Sequence, residues 1–396
     1  MDVRKVKSRV VTALVAVSLA GSLCGFSSVA FGEDAPAGSM SFWEKTKVTG
    51  TVDVNYNYNI NRPTTTAAAA AKNAYRGFDV NPNTFNIGLV ELAIENSPND
   101  WVSFRTDLDF GRDAGIVQAT EAWGTATSTF NLQQAYIRLK THVGNGLNFK
   151  VGKFVTMHGA EVIEAAANTN ISRGFLFNYA IPFTHTGILA SYSFADWINL
   201  DLGVVNGWNS VVDTNNGKSV HAMFTIKPMD KVVLTVGGTV GPETAGKDGP
   251  VRALVDSVLT YTLNDQWNFV LNYDIGRDNG LAAGGTKGIA DWQGVAGYIN
   301  WKPFDKFGLS LRGEYFKDDT VNAAGTTGMT AGALTGTTAS KKIYEGTLTS
   351  HYYLADGLDL RFEYRHDQGD QSSFLRGTGA SRKFQDTIAS QLVYAF

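Results

Sequence analysis

Residues able to do covalent or metal chemistry are few and badly spaced for it. The single cysteine, Cys24, excludes a disulfide framework and any four-thiolate zinc or iron–sulfur site. Met157, His158 and His185 are soft or borderline ligands. Spread over one segment they make no ligand set, so no metal and no cofactor is expected. Gly146 to Phe154 lacks the spacing of a phosphate loop and the hydroxyl after its Lys153. His351 and His366 fall near opposite ends of neighbouring strands, which leaves no shared nucleophile–base site. No catalytic residue is assigned, and the chain does not read as an enzyme. A net charge of -3 argues against nucleic acid as a partner.

Charge at every second position carries more information. Val48, Val52, Val54, Tyr56, Tyr58 and Ile60 alternate with Thr49, Thr51, Asp53, Asn55, Asn57 and Asn59. The same period of two runs through 101–110, 251–263 and 358–367. Such runs are about ten residues long; at roughly 3.3 Å per residue and a tilt near 40° they climb about 25 Å, the height of an outer-membrane apolar band. Past residue 33 no stretch of about eighteen apolar residues could form a spanning helix. Short connections rich in Asn, Asp, Gly and Pro, at 97–100, 142–146, 195–197, 228–230, 264–266, 303–306 and 355–357, alternate with long ones at 61–82, 111–128, 156–183, 207–217, 241–250, 277–290, 318–341 and 368–382. The expected fold is all-β: a transmembrane antiparallel barrel of about sixteen strands, with short periplasmic turns and long extracellular loops. A soluble propeller would show a repeat of about 40–50 residues, and none is present. The registers near 83–96, 129–140 and 291–302 stay ambiguous; Glu91 shares a face with Phe85 and Leu89, which calls for a bulge or a strand end.

The N-terminus reads as a leader. Arg4, Lys5, Lys7 and Arg9 precede an apolar run from Val10 to Ala20, with small residues before Gly32. Residues 1–32 are assigned as a signal peptide, 33–45 as a short lead-in and 46–396 as the barrel of a Gram-negative outer membrane. Removing the four basic residues and Asp2 from totals of 34 and 37 leaves 30 and 36, a net -6. Any ion selectivity is then expected to be weakly for cations unless the constriction is locally basic. At the other end Ile388, Leu392, Tyr394 and Phe396 share a face, a pattern suited to the barrel-assembly machinery reading Phe396. Trp101, Trp197, Trp267, Trp301 and Phe307 beside the short turns read as a periplasmic aromatic girdle.

If the apolar face meets lipid, the other face lines an aqueous lumen. The pore-lining residues are then Asp53, Asp109, Asp201, His221, Asp256, Asp274, Arg312, Glu314, Arg361, Glu363 and Arg365, with Lys227, Glu345, Asp359 and Asp367 on the same face. Segment 156–183 stands apart. Ala160–Ala167 is helix-forming with Glu161 and Glu164 on one face, and Arg173 leads into Phe175 and Phe177. It is expected to fold into the barrel, anchored by the two phenylalanines. Glu161, Glu164 and Arg173 would then form a constriction with Arg105, Asp107, Lys150 and Arg252, the carboxylates opposing Arg105, Lys150 or Arg252.

The stretch Lys150-Val151-Gly152-Lys153-Phe154-Val155-Thr156, then Glu161 and Glu164, then Ser172-Arg173-Gly174-Phe175-Leu176-Phe177-Asn178-Tyr179-Ala180-Ile181-Pro182-Phe183-Thr184-His185-Thr186-Gly187 resembles the signature region of the OmpL-like beta-barrel porins. Met157-His158-Gly159 stands where such proteins often carry a proline before the glycine. The resemblance covers about 45–396 and implies an outer-membrane porin for passive diffusion of small hydrophilic solutes or ions. Partners are then the lipid bilayer and those solutes; monomer and homotrimer both stay open. A solute-specific channel with its site at 156–183 is the alternative, and a structural or adhesin-type barrel is a further one.

Overall fold

The computed structural model describes residues 42–64, 72–121, 129–280, 290–318 and 342–396. The expected signal peptide, 1–32, most of the lead-in, and much of the connections at 277–290 and 318–341 lie outside them.

Sixteen strands close into one antiparallel barrel. They are β1 (Thr46–Asn59), β2 (Thr84–Asn96), β3 (Val102–Phe110), β4 (Phe130–Lys140), β5 (Asn148–Val155), β6 (Thr184–Ala195), β7 (Ile198–Val205) and β8 (Ser219–Met229), then β9 (Val232–Thr244), β10 (Lys247–Asn264), β11 (Trp267–Asp278), β12 (Ala290–Phe304), β13 (Phe307–Asp318), β14 (Lys342–Ala355), β15 (Leu358–Gly369) and β18 (Phe384–Ala395). Each pairs with its neighbour in sequence, and β1 pairs with β18 to close the ring. A small hairpin, β16 (Phe374–Arg376) with β17 (Ala380–Arg382), sits in the connection before β18. At the seam Gly50 and Phe396 each donate a backbone N–H to the other's carbonyl at 3.0 Å. The Phe396 ring then covers Gly50 so closely that a Cβ there would lie 2.6 Å from it.

Burial along the strands is inverted relative to a soluble protein. Leu311 is 47% exposed while its neighbour Arg312 is fully buried. On β1, Val52 and Val54 face out, and Asp53, Asn55 and Asn57 are buried. In water each half-exposed Leu or Ile would forgo roughly 1 kcal/mol, and more than a dozen such residues, with Val, Phe and Tyr between them, cover the outside. Hydrocarbon is the solvent that makes this surface stable. Aromatic pairs mark its two edges. Trp267 and Trp301 stack at 5.4 Å beside the short turns, and Tyr56 with Phe85 (4.7 Å) and Tyr315 with Tyr344 (5.0 Å) lie toward the opposite rim.

The ambiguous registers have local causes. Val52 pairs with Val90 but Val54 with Ile87, so Gly88 and Leu89 form a bulge that puts Glu91 inside while Phe85 points out. Asp107 pairs with Gln134 but Leu108 with Leu132, and this second bulge buries Gln133 and Gln134 together. On β12 there is no bulge in that stretch; Trp292, Ala296 and Tyr298 face inward onto an apolar interior, so both faces carry apolar residues.

Two expectations are corrected. The connection expected at 241–250 is a tight turn at 245–246, with β9 and β10 running on past the rim. The adjacent connection supports that hairpin: Gly246 N donates to Thr214 O at 2.8 Å, and Asp248 accepts from Asn216 N and Gly217 N. The helix expected at 160–167 is absent; only a 3-10 turn at Ala165–Ala167 forms. An α-helix appears instead in the β3–β4 connection, α1 (Arg112–Ala119).

Candidate functional site: a loop laid across the lumen

The connection from β5 to β6, residues 156–183, turns into the barrel. Its neck is pinned where Thr156 N donates to Phe183 O at 2.9 Å. Between 160 and 168 the carbonyls that a helix would use are taken by side chains. Asn168 Nδ2 donates to Val162 O and Glu164 O at 2.8 Å, and Arg173 donates to Val162 O at 3.0 Å and Ile163 O at 2.6 Å. Local competition of this kind explains why a helix-forming composition yields an irregular path. After Arg173 the chain makes one turn of π-helix, Leu176–Ala180.

The far wall, β13 to β15, binds this segment mainly through its backbone. Glu314 accepts the N–H groups of Phe175 and of Leu176, the latter at 2.6 Å. Glu363 accepts from Ile171 N at 2.6 Å and Ser172 N at 3.0 Å. Arg365 Nη1 donates to Arg173 O at 2.7 Å, and Arg361 Nη1 to Ala165 O at 3.0 Å. His351 Nε2 lies 2.9 Å from Thr169 O. Arg312 joins two carboxylates and the loop: Glu345 at 2.7 Å, Glu161 at 2.5 Å and Ser172 O at 2.7 Å. Glu161 also accepts Gly174 N at 2.6 Å.

On the long-loop side of these contacts lies an apolar cluster. Phe175, Leu176 and Phe177 of the loop meet Phe78 and Tyr75 of the β1–β2 connection, Val117 of α1, and the inward wall residues Trp292, Tyr298 and Phe316. Phe175 lies under the Arg365 guanidinium at 4.8 Å, so it anchors to the wall as expected. Phe177 packs instead on Phe78 and Phe183 within the layer of connections. Arg76 of the β1–β2 connection reaches Asp367 at 2.7 Å and Thr387 at 3.1 Å. No period or spacing marked Arg76 out in the sequence. In α1, burial pushes the Asp113 carboxyl up, and Arg112 beside it pulls the other way.

The expected pairings of the loop carboxylates are overturned. Glu161 binds Arg312, and Glu164 accepts from Gln133 Nε2 at 2.5 Å. Arg105, Lys150 and Arg252 are engaged elsewhere. Arg105 Nε donates to Asp107 at 2.8 Å, Lys150 sits 5.2 Å from the Tyr136 ring, and Arg252 pairs with Asp278 at 2.7 Å beneath the Trp208 ring. The loop crosses the whole lumen to β13, which carries Glu161 away from β3 and β5. Arg173 is a staple within the loop and does not face a solute path.

The assigned pore-lining residues do face inward, but in different surroundings. Arg312, Glu314, Arg361, Glu363 and Arg365 are covered by the loop. Asp53 and Asp109 are buried on the β1–β3 wall. His221, Asp256 and Asp274 sit together near His158 and His185. Asp201 stays half-exposed, accepting from Asn199 Nδ2 at 2.9 Å. Charged wall residues still reaching water gather on the short-turn half, among them Arg105, Arg138 and Lys150. There, under Ala166–Thr169, a cavity of about 480 Å³ is lined by Asn268, Asn300, Ser310, His351, Tyr353 and Arg361. Among the described residues no group of three or more His, Cys, Asp or Glu is placed to hold a metal ion.

Over residues 45–396 the chain matches a family model described as putative beta-barrel porin-2, OmpL-like. A search of curated protein sequences returns no match. Among solved structures it is similar to a loop L8 deletion mutant of OmpT from Vibrio cholerae, with a TM-score of 0.57 and 13% identity over 89% of this chain and 99% of that one. The outer membrane channel DcaP of Acinetobacter baumannii gives 0.56 and 13% over 89% and 97%. An anion-selective porin from Comamonas acidovorans gives 0.57 and 12% over 89% and 99%. At such identities the likeness is one of fold: a closed sixteen-strand barrel of the outer membrane.

Proposed function

The chain belongs to the OmpL-like beta-barrel porin-2 family, and from that membership we propose a passive channel through which small hydrophilic solutes or ions cross the outer membrane, loop 156–183 setting its width. Family and fold are those of channels, not of enzymes. The observation that carries the reading is the fixing of that loop across a polar interior by buried charges of β13 to β15. A segment held this firmly at mid-lumen narrows whatever water column the barrel encloses.

Planar-bilayer recording of the refolded full chain tests it. Discrete conductance steps are expected, and deleting 160–170 should raise the step about two- to threefold, because the narrowest section dominates the resistance. An unchanged step would remove the loop from the role of constriction. Liposome swelling with sugars of graded size adds the solute range; a sharp cut-off supports a general pore. The cavity beneath Ala166–Thr169, with its amide side chains and Tyr353, favours a second reading, a solute-binding channel. Swelling that saturates with one solute would support that reading instead. From the net charge a weak preference for cations is expected in a salt gradient; a strongly anion-selective reversal potential would show that local charges outweigh the total.

A further inference from the structure

Three imidazoles meet where the loop leaves the wall. His158 belongs to the loop, His185 to β6 and His221 to β8. The His185 and His221 rings lie 4.0 Å apart, edge to face, and His158 stacks on His221 at 5.6 Å. Each is only 2% exposed. His185 is satisfied by Gly207 O at 3.3 Å and Thr156 Oγ1 at 3.2 Å, and His221 Nε2 by Thr239 Oγ1 at 3.0 Å. Neither nitrogen of His158 has a hydrogen-bond partner, nor does Nδ1 of His221. Buried polar atoms left open in one place ask for a reason.

The surrounding groups supply one. Asp256 of β10 brings Oδ2 to 3.7 Å from His158 Nδ1, just beyond hydrogen-bonding distance. Asp274 of β11 is its cross-strand partner, and both Asp274 oxygens are open. Asn272 donates to Asp256 Oδ1 at 3.0 Å. Beyond Asp274 stands Glu314 of β13, already engaged by the amides of Phe175 and Leu176. From β5 the Phe154 ring faces His185 at 6.3 Å, and next to His185 Thr184 bonds Glu121, which pairs with Lys153 at 2.6 Å. Asp256 and Asp274 stand at directly paired positions on β10 and β11, and two buried carboxylates side by side repel each other, so the pair is built to balance about one positive charge. One protonated ring beside Asp256 is compatible with the packing. A second cation, in contact with the first and equally buried, is not.

We infer that the three histidines and the two aspartates form an acid-sensitive latch: uncharged or singly charged, it holds the start of the loop against the wall, and further protonation drives His158 and residues 157–164 off it, widening the lumen. This rests on the reading that the loop sets the width of the channel.

The test uses the refolded full chain at about pH 7.5 and about pH 5, on either side of the imidazole range. Amide exchange of 157–164 in micelles, corrected for intrinsic rates, should rise about tenfold at the acid pH. Step conductance in bilayers should rise about twofold over the same interval. His158→Asn, which keeps a polar group of similar size that does not titrate, should flatten both responses, and His221→Asn serves as a second variant should the first fail to fold. Exchange that stays constant in the natural chain overturns the latch, and so does a response that survives in both variants. Exchange that rises while conductance stays constant keeps the latch and overturns the loop as the constriction.

Discussion

Arg312→Ala should release the loop and raise single-channel conductance about two- to fivefold, the range expected when a fixed constriction is lost. Arg312 has no exposed surface, and its guanidinium touches Glu345, Glu161, Ser172 and Thr347 together. Truncation removes the cation from Glu161, at a cost of about 3–5 kcal/mol, while Glu345 keeps Arg365 at 3.6 Å and the Thr347 hydroxyl. The β12–β13–β14 ladder is made of backbone bonds and does not depend on this side chain. The cost therefore falls on the loop, which can escape it by swinging Glu161 into water. Arg312→Lys should give an intermediate conductance, because an ammonium cannot reproduce the forked contacts to Glu345 and the loop at once. Bilayer recording of both variants, with exchange at 161–176 as the check on loop position, decides the matter. A conductance unchanged in Arg312→Ala while the loop is loose would show that the narrow section lies elsewhere.

One residue earlier, the expected penalty has a different origin. Leu311→Arg should destabilise the barrel by about 2–4 kcal/mol, the cost of a cation at the bilayer midplane. Leu311 lies midway along β13 between the outward rings of Phe307 and Tyr315, opposite Ile299 and Leu348. Thr260→Arg is the control. That side chain is on the inner face of β10, partly exposed to the lumen, and the exchange should cost under about 1 kcal/mol. Urea titration of the chain refolded into vesicles reads both. Equal midpoints for the two variants would mean that the outer face does not meet acyl chains.

The barrel was legible because hydrocarbon outside and water inside force a period of two, and turn residues punctuate it. Legibility ended wherever the inner face stopped meeting water. Trp292, Ala296 and Tyr298 blurred the β12 register because they pack on the loop's aromatic cluster. Gly88–Leu89 and Gln133–Gln134 broke the period by bulging, which a glycine or a glutamine pair does not announce. Pro242, Gly246, Gly249 and Pro250 read as a loop, yet that hairpin is held by the neighbouring connection, a tertiary support invisible to local pattern. That the loop turns inward, and that Phe175 fixes it, could be read from its apolar content. Its carboxylate partners could not, since the choice between Arg312 and Arg105 depends on how far the segment travels before it meets a wall.

The wall of β13 to β15 recognises the loop chiefly by peptide groups: amides of Ile171, Ser172, Phe175 and Leu176, and carbonyls of Ala165, Thr169 and Arg173. Peptide carbonyls are common to all residues and peptide N–H groups to all but proline, so the anchorage is largely blind to what the loop displays. Val162, Ala166 and Ala167, whose side chains are at least partly exposed, could be exchanged through evolution while the scaffold keeps the segment in place. Such a division separates the fixing of the segment from the surface it presents, so those three positions can be substituted with little effect on how the segment is held.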